Sequence, residues 1–178
     1  KSVYCPLASS LYEPIFCVAP ETDSGTLSEE GLDMILSEAE SATAILIGCG
    51  LGKSKDIIEI VKWLITKADR PIVLDADGIN AICGCIDIIK QAKAPLILTP
   101  HPGEMARLLN TTSDKVQASR LKTAREFASE YGVYLVLKGS GTIVALPDGR
   151  AYVNLTGNHG MSSAGSGDML AGMMVSLL

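Results

Sequence analysis

The chain has 178 residues, of which 47% are hydrophobic, enough for one domain with a substantial core. The formal net charge is −5, the basic residues form no run and aromatic residues are few, which argues against nucleic-acid partners. No apolar run reaches the roughly 18 residues of a membrane span, and the first residues lack a signal-peptide pattern. Five cysteines without a CxxC motif predict reduced thiols in a cytoplasmic protein rather than disulfides or a zinc site.

The N-terminal segment predicts short elements. We expect a strand over 2–5, a turn of helix over 9–12 and a second strand over 15–19. An amphipathic helix follows over 28–40, because apolar side chains recur there at helical intervals. The run Thr26-Leu27-Ser28-Glu29 has the spacing of a capping box at its start.

Four short apolar runs have the character of strands buried on both faces of a parallel sheet. They lie at 44–47, 72–75, 96–99 and 133–137. Helical patterns follow at 55–66, 79–83, 105–109 and 113–131, and a β-hairpin is predicted from 142–146 and 150–154. This order predicts an α/β fold, a three-layer α/β/α domain with a mostly parallel central sheet and an antiparallel edge, in which residues 1–178 form a single domain.

Each of the four strands runs into a polar or glycine-rich turn, and an α/β sheet binds its ligand at this edge. Asp75 and Asp77 follow the second strand and are weak candidates for holding Mg²⁺, as is Glu104. Asp77 is explained equally well as part of a turn and helix cap. His101 lies between two prolines, where it could bind a substrate or cap a helix, and binding is favoured. Lys138 leaves its strand beside glycines and could reach a nucleotide phosphate as a point charge.

A glycine-rich loop over 157–168 leads into a helix that is expected to begin near Gly167 and continue to residue 178. Free N–H groups and the positive end of the helix dipole make such a loop a phosphate site. Asp168 is a carboxylate within this cradle, so it is expected to act as a catalytic base or to hold a metal. The alternative is an ordinary acid in the first turn of a helix.

Taken together, five motifs resemble the ADP-dependent NAD(P)H-hydrate dehydratase family of the ribokinase-like superfamily, from about residue 40 to the C-terminus. They are Gly48-Cys49-Gly50-Leu51-Gly52, Leu74-Asp75-Ala76-Asp77-Gly78, Thr99-Pro100-His101-Pro102-Gly103-Glu104, Leu137-Lys138-Gly139 and Gly165-Ser166-Gly167-Asp168. The resemblance implies a lyase that repairs hydrated NADH and NADPH. The ring hydroxyl would be phosphorylated by ADP or ATP with Mg²⁺, and phosphate would then leave.

By this resemblance Asp168 is the catalytic residue and also contacts the substrate, together with Gly50, Gly52 and His101. The nucleotide would lie against Gly167 and the five residues Lys138, Gly139, Ser140, Gly141 and Thr142. A homo-oligomer is expected, and the chain is expected to lack part of both ends of the family domain. His159 stands where relatives commonly have proline, and Ser166 where they have threonine. Two alternatives stay open: a vitamin or small-alcohol kinase of the same superfamily, and a nucleotide-binding module without turnover.

Overall fold

The computed structural model describes residues 2–178. Its centre is a six-stranded sheet in which the strands lie side by side in sequence order. They are β1 (Ile45–Ile47), β2 (Ile72–Leu74), β3 (Leu96–Leu98), β4 (Tyr134–Leu137), β5 (Ile143–Ala145) and β6 (Ala151–Val153). Strands β1 to β4 are parallel, whereas β5 and β6 pair antiparallel as a hairpin. The predicted parallel sheet with an antiparallel edge is therefore confirmed.

Eight α-helices occur in the described chain. They are α1 (Tyr4–Ser10), α2 (Leu32–Ser41), α3 (Lys55–Lys67), α4 (Ala76–Ile82), α5 (Pro102–Leu108), α6 (Ser113–Ala118), α7 (Arg120–Tyr131) and α8 (Ser166–Ser176). Short 3₁₀ helices lie at Glu29–Gly31, Ile86–Gln91 and His159–Met161. None of the helices within residues 2–178 has the length and apolar character needed to cross a membrane.

The hydrophobic core lies between one face of the sheet and helices α3, α4, α5 and α7. In β2, Ile72 and Leu74 point into this core, and their register partners in β1 and β3 do the same. Val73 points to the opposite face, where α8 packs on β1 and β2 and buries both Val73 and Ala171. The helix α8 therefore forms a layer of its own, and its first turn lies near the carboxyl ends of the strands.

The N-terminal segment differs from its prediction. Residues 4–10 are helical where a strand was expected over 2–5, and residues 15–19 are extended without belonging to a strand. A strand needs a hydrogen-bonding neighbour, and this segment does not join the edge of the sheet. The predicted capping box is also wrong, because the hydroxyl of Ser28 accepts from the Glu30 N–H at 3.3 Å. Thr26 instead donates to the hydroxyl of Ser54 at 3.1 Å.

The predicted helix over 113–131 is broken into α6 and α7. Ser119 lies between them with φ −143° and ψ 38°, so its backbone is not helical. Gly132 ends α7 in the left-handed conformation with φ 67°, which glycine adopts readily at the end of a helix. The final helix ends at Ser176 rather than at residue 178.

Candidate active site

The carboxyl ends of neighbouring parallel strands bring together three polar side chains, those of Asp75, Thr99 and Lys138. Asp75 Oδ1 accepts hydrogen bonds from Thr99 Oγ1 at 2.6 Å and from Lys138 Nζ at 2.7 Å. Asp75 directly follows β2, Thr99 follows β3 and Lys138 follows β4, so the sheet places them in one row. The Asp75 side chain is only 2% exposed and that of Lys138 20%. Asp75 and Lys138 therefore form a largely buried ion pair below the site.

The first turn of α8 lies against this row. The side-chain ligand atoms of Cys49, Asp75 and Asp168 are all within 4.8 Å of one another. A Cβ added to Gly167 would lie 3.7 Å from Lys138 Nζ. Asp168 is exposed, in contrast to Asp75. The structure thus brings the closing glycine loop onto the strand ends, as the sequence predicted.

Cys49 is a member of this group that the sequence reasoning did not single out as functional. Its Sγ lies 3.8 Å from Asp75 Oδ2. Burial raises the pKa of the Cys49 thiol to about 12, and the nearby carboxylates of Asp168 and Asp75 contribute in the same direction. The thiol is therefore protonated at neutral pH and can donate weakly to these carboxylates.

The turn after β1 is closed by glycines and by Asp77. Gly48 has φ +135°, and a Cβ there would lie 1.7 Å from the backbone carbonyl oxygen of Asp75, so no other residue fits without moving the backbone. Asp77 accepts from the Gly52 N–H at 3.0 Å and from the Asn80 side chain at 3.2 Å. Asp77 therefore holds the turn in place, and these hydrogen bonds give its carboxylate a structural role that needs no bound metal.

His101 caps helix α5. Its Nδ1 accepts from the backbone N–H groups of Gly103 at 3.0 Å and Glu104 at 3.3 Å, while Glu104 Oε2 accepts from the His101 N–H at 2.8 Å. The capping alternative is thus present in the structure. Because Nδ1 accepts hydrogen bonds, the proton of a neutral ring lies on Nε2, and half of the side chain remains exposed.

The three weak candidates for Mg²⁺ do not converge on one point. Asp75 is paired with Lys138, Asp77 holds the Gly52 turn, and Glu104 belongs to the cap of α5. Within residues 2–178, the group of potential metal ligands that does converge is Cys49, Asp75 and Asp168. Asp75 therefore lies beside Asp168, whereas Asp77 and Glu104 lie outside this group, and a metal at any of the three weak candidates stays a prediction.

The loop of residues 138–142 is organised by Arg120, a residue that sequence reasoning missed. Its guanidinium donates to the carbonyl oxygens of Leu137 at 3.2 Å and Lys138 at 3.3 Å, and also to that of Ser140. Gly139 has φ +143°, and a Cβ there would lie 2.8 Å from Arg120 Nη2. Arg120 is the first residue of α7. The amphipathic pattern over 113–131 predicts a helix there but does not indicate a contact between Arg120 and the loop.

Lys138 is paired in this structure, and its contact with a nucleotide phosphate stays a prediction. Its ammonium group lies within the ion pair with Asp75 and is not a free point charge at the mouth of the site. The nearby backbone of residues 139–142 remains at the surface beside Gly167. In this conformation a phosphate at the site would contact the backbone of the loop and not a free lysine charge.

Comparisons with known proteins show to which family this chain belongs. The profile of the NAD(P)H-hydrate dehydratase family matches residues 13–178. The chain belongs to this family. It is 42% identical over 146 residues to the ADP-dependent (S)-NAD(P)H-hydrate dehydratase of Neisseria meningitidis, covering 80% of this chain and 49% of the relative. It is 43% identical over 171 residues to the bifunctional NAD(P)H-hydrate repair enzyme Nnr of Moorella thermoacetica, covering 96% of this chain and 32% of the relative.

A solved structure of the family has the same fold. The ADP/ATP-dependent NAD(P)H-hydrate dehydratase of Bacillus subtilis, co-crystallised with ATP and Mg²⁺, superposes with a TM-score of 0.67 at 31% identity. The match covers 85% of this chain and 60% of that protein. The chain spans about a third of the length of the Moorella relative and about half of that of the Neisseria relative.

Proposed function

We propose that this chain carries the site of an ADP-dependent NAD(P)H-hydrate dehydratase, which restores NADH and NADPH from their hydrated forms. One observation carries the proposal: Asp168 stands at the start of α8, with its carboxylate in the group formed with Cys49 and Asp75 at the carboxyl edge of the sheet. The relatives named for this activity support it, as does the family match. We propose a cytoplasmic homo-oligomer that acts on small molecules and not on nucleic acids or membranes.

The proposed reaction begins with Asp168. Its carboxylate accepts the proton of the ring hydroxyl as that oxygen attacks the terminal phosphorus of ADP. An O–P bond forms, the bond from that phosphorus to AMP breaks, and AMP leaves. The carbon–oxygen bond of the phosphorylated ring then breaks, a ring proton is lost, and inorganic phosphate and the dihydronicotinamide are released. With ATP as donor the leaving nucleotide is ADP.

The start of α8 stabilises the charge that develops on the transferring phosphoryl group. The helix has 11 residues, and its first free N–H groups lie at the end that follows Gly165 and includes Gly167. Lys138 neutralises Asp75, so the negative charge of that buried carboxylate opposes the incoming phosphates less. Positioning of two bound ligands by preformed backbone supplies much of the remaining rate.

Mg²⁺ fits the exposed carboxylate of Asp168, with only Oδ2 of Asp75 left as a second oxygen, because Asp75 Oδ1 already accepts from Lys138 and Thr99. Carboxylate oxygens suit this hard cation, which commonly binds one or two carboxylates together with the phosphates of the nucleotide. Sulfur is a poor ligand for this hard cation, so Cys49 is not counted among the ligands. The ion would supply neutralisation of the phosphate charge.

The two ligands are assigned to opposite sides of Asp168. We assign the nucleotide to Gly167 and to the loop of Lys138, Gly139, Ser140, Gly141 and Thr142. Arg120 holds this loop through hydrogen bonds to its backbone carbonyl groups. The hydrated cofactor is assigned to the turn that contains Gly50 and Gly52 and to the exposed part of the His101 ring. In this assignment His101 has two roles, because its Nδ1 caps α5 and the exposed part of its ring, whose Nε2 lies 3.4 Å from Glu104 Oε1, contacts the substrate.

The test is recovery of dihydronicotinamide absorbance from hydrated NADH in the presence of ADP and Mg²⁺. Asp168→Asn should abolish recovery, because the amide cannot accept the proton. Asp114→Asn is the matched control, since Asp114 is likewise an exposed acid in the first turn of a helix. Equal activity of both variants would refute the role of Asp168. A stable phosphorylated vitamin alcohol and no NADH would show a kinase instead.

A further inference from the structure

A second cavity adjoins the turn assigned to the hydrated cofactor. It lies between the first turns of α3 and the helix α4 and has a volume of about 430 Å³. Its floor is apolar and includes Ile57, Ile58 and Ala81, while Gly52 and Asp77 form the wall that it shares with the turn. This volume is in the range of cavities that hold small molecules, roughly 300–1,000 Å³.

Three cations surround this cavity: Lys53, Lys55 and Arg107. Among the residues that the structure describes, none of them forms an ion pair with a carboxylate. Asp77 is the one carboxylate in the lining, and its oxygens already accept from the Gly52 N–H and the Asn80 amide. The charge around the cavity is therefore positive although the whole chain has a net charge of −5.

Arg107 is held in place along the cavity wall. Its Nε donates to Asn80 Oδ1 at 2.9 Å, and Asn80 in turn donates to Asp77, which leaves the rest of the guanidinium for a ligand. The cavity residue Cys83 reports the nearby field. Burial raises the pKa of this thiol and the nearby Glu104 and Cys85 act in the same direction, whereas the positive charges of Arg107 and Lys53 act to lower it. Both cations thus lie within electrostatic reach of the same point on the wall.

An apolar floor beside grouped cations matches the chemistry of a nucleotide, which has a flat base and anionic phosphates. Placing like charges near one another is unfavourable, and an anion bound between them relieves the repulsion. The substrate assigned to the neighbouring turn has such a group at its far end, since only its nicotinamide ring has to reach Asp168. Gly52 belongs both to that turn and to the lining of the cavity, so the two adjoin.

We propose that this cavity binds the adenosine-phosphate half of the hydrated dinucleotide, with Lys53, Lys55 and Arg107 contacting phosphate. The proposal rests on the dehydratase function proposed above. The shared chemistry is a phosphate group, which has two sources in the substrate: the diphosphate bridge that both dinucleotides have, and the 2′-phosphate that only NADPH has. The two sources predict different dependence on the substrate.

A binding experiment tests the cavity without requiring turnover. ADP-ribose is titrated calorimetrically into the chain while saturating ADP occupies the donor site. Lys53→Glu and Arg107→Gln should each weaken ADP-ribose binding about tenfold or more, because each removes a phosphate contact and the first also adds a like charge. Lys93→Glu is the matched control. Lys93 precedes β3 and so lies at the amino ends of the strands, away from the cavity, and its replacement should leave binding unchanged.

Unchanged ADP-ribose binding in both cavity variants, or no binding to the unaltered chain, would overturn the proposal. Kinetics separate the two phosphate sources: KM should rise for hydrated NADH and NADPH alike if the bridge is bound, and only for hydrated NADPH if the 2′-phosphate is bound, while kcat and the KM for ADP stay unchanged. Suppose that the chain binds ADP-ribose, loses that binding in the two cavity variants and yet catalyses no dehydration. This result would refute the proposed function and still support a nucleotide site in the cavity.

Discussion

Replacing Lys138 by methionine tests the buried ion pair on which the site is built. The methionine keeps much of the side-chain length but removes the cation, so Asp75 is left as a carboxylate that is only 2% exposed. Two donors remain, Thr99 at 2.6 Å and Cys49 at 3.8 Å. Neither carries a charge, so Asp75 keeps its hydrogen bonds but loses its neutralising partner.

The expected loss follows from the burial of the pair. Removing one partner of a buried ion pair costs about 3–5 kcal/mol, and the lower end applies because Thr99 remains and because Lys138 is 20% exposed. For a chain of this size, about 3 kcal/mol corresponds to a fall in Tm of roughly 6–12 °C. The double variant Asp75→Asn with Lys138→Met should lose less than Lys138→Met alone, because no uncompensated charge is then buried.

Urea unfolding monitored by circular dichroism measures these losses. The control is Lys62→Met, which removes an ion pair to Glu59 of similar length, 2.8 Å, whose side chains are 31% and 53% exposed. That change should cost less than about 1 kcal/mol. If Lys138→Met costs no more than Lys62→Met, or if the double variant loses the sum of its two single losses, the reasoning from the buried pair is refuted.

Three further outcomes are expected. Gly48→Ala should destabilise the fold by more than about 3 kcal/mol in thermal melts, because the added Cβ would overlap the Asp75 carbonyl oxygen at 1.7 Å. Arg120→Ala should weaken ADP binding about tenfold by calorimetry, because the carbonyls of Leu137 and of the loop residues Lys138 and Ser140 lose their donor. Cys49 should resist alkylation at pH 8, since its pKa is about 12, and should react only as the pH approaches that value.

Each of these outcomes has an internal comparison. Gly84→Ala should be neutral, because no atom lies within 4 Å of its added Cβ. Arg125→Ala removes a bond of 2.7 Å to the Gly149 carbonyl, away from the nucleotide loop, and should leave ADP binding intact. The exposed thiols of Cys5 and Cys17 should be alkylated first in a mass-spectrometric time course. Loss of ADP binding in Arg125→Ala, or early labelling of Cys49, would contradict the structural argument.

The raised pKa of Cys49 also sets a direction for stability at high pH. The folded thiol titrates near pH 12, whereas an exposed thiol titrates near 9.0. Between these values the unfolded chain releases a proton that the folded chain keeps. The contribution of this thiol to stability is therefore complete below about pH 9 and is lost as the pH rises toward 12. Cys49→Ser should reduce that alkaline loss.

Much of the fold was predictable because its signals are local. The runs that became β1 to β4 are apolar on both faces, which is typical of central parallel strands, and Ser54 and Gly132 mark helix ends through their own backbone and side-chain chemistry. The N-terminal segment shows where this reasoning stops. Its apolar residues suit a strand, but a strand forms only where a neighbour supplies hydrogen bonds, and no sequence pattern shows that supply.

The candidate site was predicted as a set of turns and not as a set of contacts. That turns at strand ends share one edge follows from parallel pairing alone, and the structure does place Asp75 beside Asp168. Which partner each side chain takes does not follow. Asp75 and Lys138 are 63 residues apart, and Arg120 reaches its loop from the start of another helix.

The sequence by itself determined the alternation of strands and helices, the glycine-rich turns and the acid at the start of α8, because these depend on periodicity, backbone freedom and capping within a few residues. Only the tertiary structure decided that Lys138 neutralises Asp75, that His101 caps α5, and that unpaired cations gather around one cavity. The pairing of Asp75 with Lys138 depends on burial, because a buried charge without a partner is costly. The other two outcomes depend on which side chains the packing of separate elements brings together, and no local pattern shows that.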